Sequence, residues 1–342
     1  MTNKKKATLR DVAQEASVSE STASRALADN SLISGETKAR VLAAAAKLNY
    51  IIRRKAIKSE SSKPKGMVGV IVAALHNSFY PLLIDRIHAE LEASGFGMVL
   101  IIDEFANSTS SRKMKSLIET PLDGLMMMTT LINSPVVDLL ASNKIPTILA
   151  IRSNQKHNVD VIECDNHMAG EQAVKHLLGL GHKRIAFLMG PENTSTAADR
   201  MAGARRVMDR SGVDFDPDLV VWGEFTHDSG YSGMVHLMTL AHPPTAVFCG
   251  NDVVAIGAMD SCSKLGVDIP RDVSIIGVDD VPMASWEMIS LTTIRQPIFD
   301  IGVGAVKQII KRIEGGPDAP PVRNILPTSL VQRRTTSVPK GI

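Results

Sequence analysis

Glu20, Ser21 and Arg25 carry the sharpest chemistry in this chain, and that chemistry is recognition rather than catalysis. With Ser24 they share the outer face of one short stretch, SESTASRAL. A glutamate accepts from a cytosine amino group, an arginine fork donates to guanine O6 and N7, and serine is permissive. Thr8, Ser19, Ser24 and Ser34 offer hydroxyls of the kind that hold backbone phosphates, and Thr22 joins the same DNA-facing set. A second group lies far along the chain. Asn77, Phe79 and Tyr80, then Arg152, Arg200, Phe225, Asn251 and Asp279 each follow an apolar, β-rich run. Guanidinium forks, carboxylate and amide acceptors, and flanking rings together suit a small polyhydroxylated or heterocyclic ligand. Nothing points to turnover. No G-x-S-x-G, H-E-x-x-H or Walker pattern occurs, and Gly302-x-Gly304 lacks the strand and third glycine of a dinucleotide loop. No cofactor and no metal are expected.

The first group needs a scaffold that presents one face of a short helix. Leu9, Val12 and Ala13 recur at helical spacing, Ala16-Ser17-Val18 interrupts them, and Ser19 and Thr22 supply cap and first-turn oxygens for a second helix ending near Leu27. Ala23, Ala26 and Leu27 face inward, and small inward residues let two helices cross closely. This predicts a helix-turn-helix whose second helix, residues 19–27, enters a major groove. Charge agrees. Residues 1–65 hold 14 Lys or Arg against six Asp or Glu, a local +8, whereas the whole chain is only +2, so the remainder carries −6. A basic arm on an acidic body is the pattern of a phosphate-binding module.

The second group needs two parallel sheets. MVGVIVA (67–73), FGMVLII (96–102), GLMMM (124–128) and PTILAI (146–151) read as buried strands, and RIAFLM (184–189), LVVW (219–222), AVFC (246–249) and SIIGV (274–278) as a second series. Helices are predicted over 80–93, 135–141, 166–178, 197–211, 229–240 and 252–264. In such sheets ligands bind beyond the carboxyl ends of strands, where the second group falls. Asn251 is expected to touch ligand, Asp252 to serve as an N-cap, His182 to be a turn residue, and Met126-Met127-Met128 to fill core. Cys164, Cys249 and Cys262, without C-x-x-C spacing, suggest a reducing compartment rather than a disulfide framework. The N-terminus leads into an amphipathic helix rather than an apolar leader, and no run approaches the ~20 apolar residues of a bilayer span, so a cytoplasmic, nucleoid-associated protein with no membrane partner is expected.

The head resembles that of the lactose-repressor/purine-repressor family of transcriptional regulators. Thr8, Asp11, Val12, Ala13, Ala16, Val18, Ser19, Thr22, Ser24, Arg25 and Leu27 match its pattern, and Ile33, Ser34, Thr37, Val41, Leu48 and Tyr50 continue its third helix. Ser17 stands where the family has a turn glycine, and Ala23 where it has valine. The resemblance continues through GPENTSTAADRMAG, GEFTHDSGYSGM, FCGNDVVAIGA and IPRDVSIIGVDDVP, and so implies an α/β fold: an all-α helix-turn-helix head plus a periplasmic-binding-protein-like core of two doubly wound parallel-sheet subdomains. It implies a head over 1–50, a hinge over 51–65, one core subdomain over 66–163 plus 295–325, and another over 164–294 plus 326–342.

In the resembled family the hinge wedges a leucine into the minor groove. Here only Tyr50 and Ala56 match and Ser59 holds the wedge position, so either Ile57 substitutes in a shifted register or the operator is bent less. Weaker bending is the favoured expectation, with Tyr50, Arg53, Ala56 and Ile57 still at the DNA. Family roles in effector binding fall on Arg200, Phe225, Asn251 and Asp279. The aspartate that commonly precedes Arg152 is Ile151 here, which suggests an effector with a carboxylate or phosphate; a plain core Ile151 with an outward Arg152 is the alternative. The implied partners are double-stranded operator DNA read as a pseudo-palindrome, a small-molecule effector, and a second copy in a homodimer, since no heptad tail follows SLVQRRTTSVPKGI. The rival readings are a solute-binding protein, which shares the core but not the basic head, and a nucleotide-using enzyme.

Overall fold

Each helix of the N-terminal module starts on a hydroxyl that accepts from the backbone three residues on. In the computed structural model α1 (Leu9–Glu15) is capped by Thr8, which forms a reciprocal box with Asp11. Ser19 Oγ accepts from Thr22 N at 3.1 Å to open α2 (Glu20–Leu27), and Ser34 Oγ accepts from Thr37 N at 3.3 Å to open α3 (Gly35–Lys47). These bonds satisfy donors that a helix start otherwise leaves bare, each contributing about 1 kcal/mol. Val12, Ala13, Ala16, Ala23, Ala26, Val41, Ala44 and Ala45 form the small core between the helices. Ser17 turns the chain with φ +54°. A serine there costs about 1 kcal/mol that a glycine would not.

The structure describes residues 8–27, 33–48, 65–73, 75, 77–102, 117–154, 156, 158–316 and 319–340. The chain divides into two compact units, 1–63 and 64–342. Tyr50, Arg53, Ala56, Ile57 and Ser59, named above for the hinge, lie outside the described residues.

The second unit holds two six-stranded sheets. The first has the order β11-β5-β4-β3-β1-β2, built from β1 (Gly66–Val72), β2 (Phe96–Ile102), β3 (Gly124–Met127), β4 (Thr147–Ala150), β5 (Asp160–Cys164) and β11 (Arg323–Leu326), all parallel. The second has the order β12-β10-β9-β8-β6-β7, with β6 (Ile185–Met189), β7 (Val220–Trp222), β8 (Ala246–Cys249), β9 (Ser274–Asp279), β10 (Thr292–Arg295) and β12 (Ser329–Val331). There β12 alone is antiparallel, against β10. The chain crosses between the sheets after Cys164, after Arg295 and after Leu326.

Alternation along the strands decides which helices cover which face. Val68, Val70, Val72, Met126 and Met128 pack with α4 (Phe79–Ala93) and α10 (Ile298–Gly315), while Ile71, Leu125 and Met127 pack with α5 (Pro135–Ser142). In the second sheet Phe187, Met189 and Phe248 meet α6 (Asn166–Gly179) and α7 (Ser195–Arg210). Leu188, Val247 and Cys249 meet the opposite pair, α8 (His227–Met238) and α9 (Asp252–Leu265). Burial on both faces explains why these strands are unbroken apolar runs. The methionine run is core, as expected. Gly302 and Gly304 lie inside α10, and a Cβ at either would strike Arg86 or Ile162, so they are packing positions rather than a loop.

His182 corrects an expectation. It follows the turn at Gly181, but its ring is buried, with Nδ1 3.0 Å from Thr245 Oγ1 and Nε2 2.9 Å from the Ser337 carbonyl. It fastens the C-terminal segment to the second sheet, and burial lowers its pKa.

Candidate ligand cleft and DNA-reading face

Eleven side chains line one cleft between the carboxyl ends of the two sheets. From the first sheet come Asn77, Phe79 and Tyr80 beyond β1, and Ile151 and Arg152 beyond β4. From the second come Thr196 and Arg200 on α7, Phe225 beyond β7, Asn251 beyond β8, Asp279 at the end of β9 and Gln296 beyond β10. All eight residues singled out from the sequence are brought together here.

Local geometry explains how each side chain is held. Asn77 Oδ1 accepts from Phe79 N at 3.0 Å and fixes the start of α4, placing Phe79 and Tyr80 edge-to-face with ring centres 6.0 Å apart. Arg200 is almost fully buried, its Nε donating to Asn166 Oδ1 at 2.9 Å and its Nη1 to the Gly250 carbonyl at 2.5 Å. Phe225 lies over Gly190, where a Cβ would stand 2.2 Å from the ring. Ile151 has φ +64° and Asp279 φ +131°. A left-handed β-branched residue is uncommon, and two positive-φ residues on one cavity wall are the kind of stored strain that gathers at functional sites.

Asn251 and Asp252 exchange one expected role. Asn251 is the N-cap of α9, accepting from Val254 N at 2.9 Å, so its amide nitrogen is the part left for the cavity. Asp252 is no cap. It is fully buried behind the wall, where Oδ2 accepts from Val281 N at 3.0 Å and Oδ1 from Thr293 Oγ1 at 2.5 Å. Arg152 lines the cavity instead of pointing away. Thr196 and Gln296 were missed from the sequence. Thr196 sits one turn before Arg200 on the same face of α7, a signal that was available. Gln296 follows a strand, Thr-Thr-Ile-Arg, too short and polar to be read as one.

Burial pushes the Asp279 carboxyl up to about 8 against the pull of Arg200 and the 2.6 Å bond from Gln296 Nε2, and it pushes Asp252 up to about 6. The folded state therefore keeps protons that the unfolded chain releases near pH 4. Their contribution to stability is full below pH 4 and is lost as pH rises through about 6 and about 8. The ligand-free protein should lose on the order of 1 kcal/mol between pH 7 and 9 through Asp279, roughly 2–4 °C in Tm. Asp279→Asn should flatten that fall in a melting series. An unchanged slope would place the titration elsewhere.

On the first unit, Glu20, Ser21, Ser24 and Arg25 are exposed along α2. Among the described residues Arg25 makes no hydrogen bond or ion pair, and Glu20 stands 4.0 Å from Arg10 with both side chains largely exposed. Thr8 Oγ1 donates to Asp11 at 2.7 Å, so its proton is already engaged. Ser19 Oγ, also exposed, lies 2.8 Å from Thr22 Oγ1.

Comparison with known proteins settles the lineage. Residues 8–52 match the family described as bacterial regulatory proteins, lacI family, and residues 174–336 match the periplasmic binding protein-like domain. The ribose operon repressor of Escherichia coli (strain K12) is 31% identical over 310 residues, covering 90% of this chain and 93% of that protein. The chain belongs to the LacI family of bacterial regulatory proteins. It is a ligand-responsive DNA-binding regulator, and neither an enzyme nor a free solute-binding protein. Its fold is shared by a solved complex of the transcriptional regulator CelR with cellobiose, with a TM-score of 0.73 and 27% identity over 96% of this chain and 99% of that one. The lac repressor dimer bound to operator and the anti-inducer ONPF gives 0.70 and 26% over 97% and 100%. No helix among the described residues of the regulator is long and apolar enough to cross a membrane.

Proposed function

We propose that this regulator is a repressor that binds a pseudo-palindromic operator as a homodimer, in the cytoplasm at the nucleoid, with its affinity set by a small polar metabolite in the core cleft. The observation that carries this is the meeting of the strand-end residues, Asn77 to Asp279, around one cavity in a chain whose other unit is a helix-turn-helix. The relatives support it: one is named for repressing a ribose operon, and another holds cellobiose. Two α2 helices, one per protomer, read half-sites in successive major grooves. Glu20, Ser21 and Arg25 meet base edges, Thr8, Ser19, Thr22, Ser24 and Ser34 the backbone, and Tyr50, Arg53, Ala56 and Ile57 the groove between half-sites. Asn77, Phe79, Tyr80, Arg152, Arg200, Phe225, Asn251 and Asp279 hold the metabolite. A metabolite that changes operator affinity must have its own affinity changed by operator in the same ratio.

Arg25 gives the test. Exposed and without a hydrogen bond or ion pair among the described residues, Arg25 has little there to lose, so Arg25→Ala should leave Tm unchanged. It should weaken binding to operator fragments selected from genomic DNA by about 1–3 kcal/mol, tenfold or more. Mobility shifts with equal midpoints for both proteins would remove Arg25 from base readout, and wild-type protein that selects no fragment at low salt would remove the operator itself.

A further inference from the structure

The cleft carries more positive charge than it cancels. Of its eleven lining residues, Arg152, Arg200 and Asp279 bear the ionisable groups that decide the balance near neutral pH. Arg200 spends its bonds on neutral acceptors, the Asn166 side chain and the Gly250 carbonyl, so no ion pair offsets it. Among the described residues Arg152 forms no hydrogen bond and no ion pair, although it is only partly exposed. Beside it stands Ile151, which has no polar atom in its side chain. Asp279 is the one carboxyl on the wall, already bonded to Gln296 and held largely uncharged by burial at neutral pH. Asp252 has both oxygens engaged behind the wall.

A ligand seated here displaces the water that solvates Arg152. Desolvating a guanidinium without a counter-charge is costly, whereas a carboxylate or phosphate against it forms a charge-assisted bond that the guanidinium fork can make with two prongs. Resting on the reading of this cavity as a metabolite site, we propose that the metabolite bears an anionic group, a carboxylate or a phosphate, and that Arg152 is the residue selecting it. The body of the molecule then lies among Phe79, Tyr80 and Phe225, with hydroxyls or ring nitrogens toward Asn77, Asn251 and Asp279.

The test uses purified full-length protein and probes that share a carbon skeleton: glucose, gluconate and glucose 6-phosphate, and ribose, ribonate and ribose 5-phosphate. Calorimetric titration should show, in at least one set, an acid or phosphate binding about tenfold or more tightly than its parent sugar. In Arg152→Gln the preference should fall to within about threefold, Arg152→Lys should retain an intermediate preference, and the ligand-free Tm of both variants should match wild type. Whether the acid or the phosphate wins identifies the anion. The proposal is overturned if a parent sugar binds as well as its charged partners and Arg152→Gln changes nothing; the metabolite-sensing reading then stands. It is equally overturned if no charged probe binds, and if the neutral sugars are silent too, that broader reading falls with it.

Discussion

Gly170→Ala should cost the core at least about 3 kcal/mol, more than most single substitutions remove. Gly170 lies on α6 against the backbone of α7. A Cβ there would stand 1.9 Å from the Arg200 carbonyl oxygen, and the arrangement is reciprocal, since a Cβ at Gly203 of α7 would stand 2.1 Å from the His167 carbonyl of α6. The obstacle is backbone on both sides, so no rotamer change relieves it and the helices must part. Overpacking of ordinary cores costs about 1–3 kcal/mol when side chains can shift, and here they cannot. The opposite face of the second sheet repeats the device: Cβ atoms at Gly230 and Gly257 would each lie 2.0 Å from a carbonyl oxygen of the facing helix. The site is involved because Asn166 and Arg200, which bond to each other at 2.9 Å, lie one turn from these glycines. Separating α6 from α7 should therefore loosen Arg200 as well as lower the denaturation midpoint. Gly233→Ala is the informative control, because its Cβ would meet the end of the Leu188 side chain rather than backbone. If Gly170→Ala melts within about 1 kcal/mol of wild type, the close crossing is not rigid.

What was legible in the sequence, and what was not, follows from which force leaves a one-dimensional trace. Strands buried on both faces need unbroken apolar runs, so Ala246–Cys249 was readable to the residue, and the half-buried edge strand Phe96–Ile102 was readable because it too is unbroken apolar. The head was readable because caps are local, and Ser19, Thr22 and the turn at Ser17 act within four residues of themselves. β10 was not, because two of its four residues are threonines, and their burial is made tolerable by partners 41 and 44 residues away, Asp252 for Thr293 and Thr336 for Thr292. Missing β10 meant missing Gln296 just beyond it. α10 was hidden for another reason: Gly302 and Gly304 weaken a helical pattern, and the need for them comes from Arg86 and Ile162 on other elements. Asn251 and Asp252, adjacent and chemically alike, could not be ranked by local rules. Only Val281 and Thr293, supplied by distant segments, show which of the two is buried behind the wall.

Asp160→Ala should be the second severe substitution, about 3–5 kcal/mol, because it strands a buried cation. The Asp160 carboxylate opens β5 and is completely enclosed, while the Arg312 side chain is only 10% exposed. Arg312 Nε reaches Oδ2 at 2.9 Å and Nη2 reaches Oδ1 at 2.5 Å. Gln308 Nε2 adds a bond at 3.0 Å and Val322 N another at 2.8 Å. Four donors thus converge on one carboxylate, drawn from α10 and from the residue leading into β11. Those are the elements through which the chain returns from the second sheet to the first, just after Gln296 of the cleft wall. Once the carboxylate is gone, Arg312 keeps, among the described residues, only the carbonyls of Ala319 and Pro320 and no counter-charge. The exposed pair between Lys156 and Asp138 provides the contrast, and Asp138→Ala should cost no more than about 1 kcal/mol. A double variant, Asp160→Leu with Arg312→Met, should recover most of the loss, because apolar residues of similar volume remove the unpaired charge along with the pair. Chemical denaturation of the three variants decides the matter: a single substitution as mild as the exposed control would mean that water reaches Asp160, and a double variant no better than the single would mean that its geometry, not its charge, joins α10 to the first sheet.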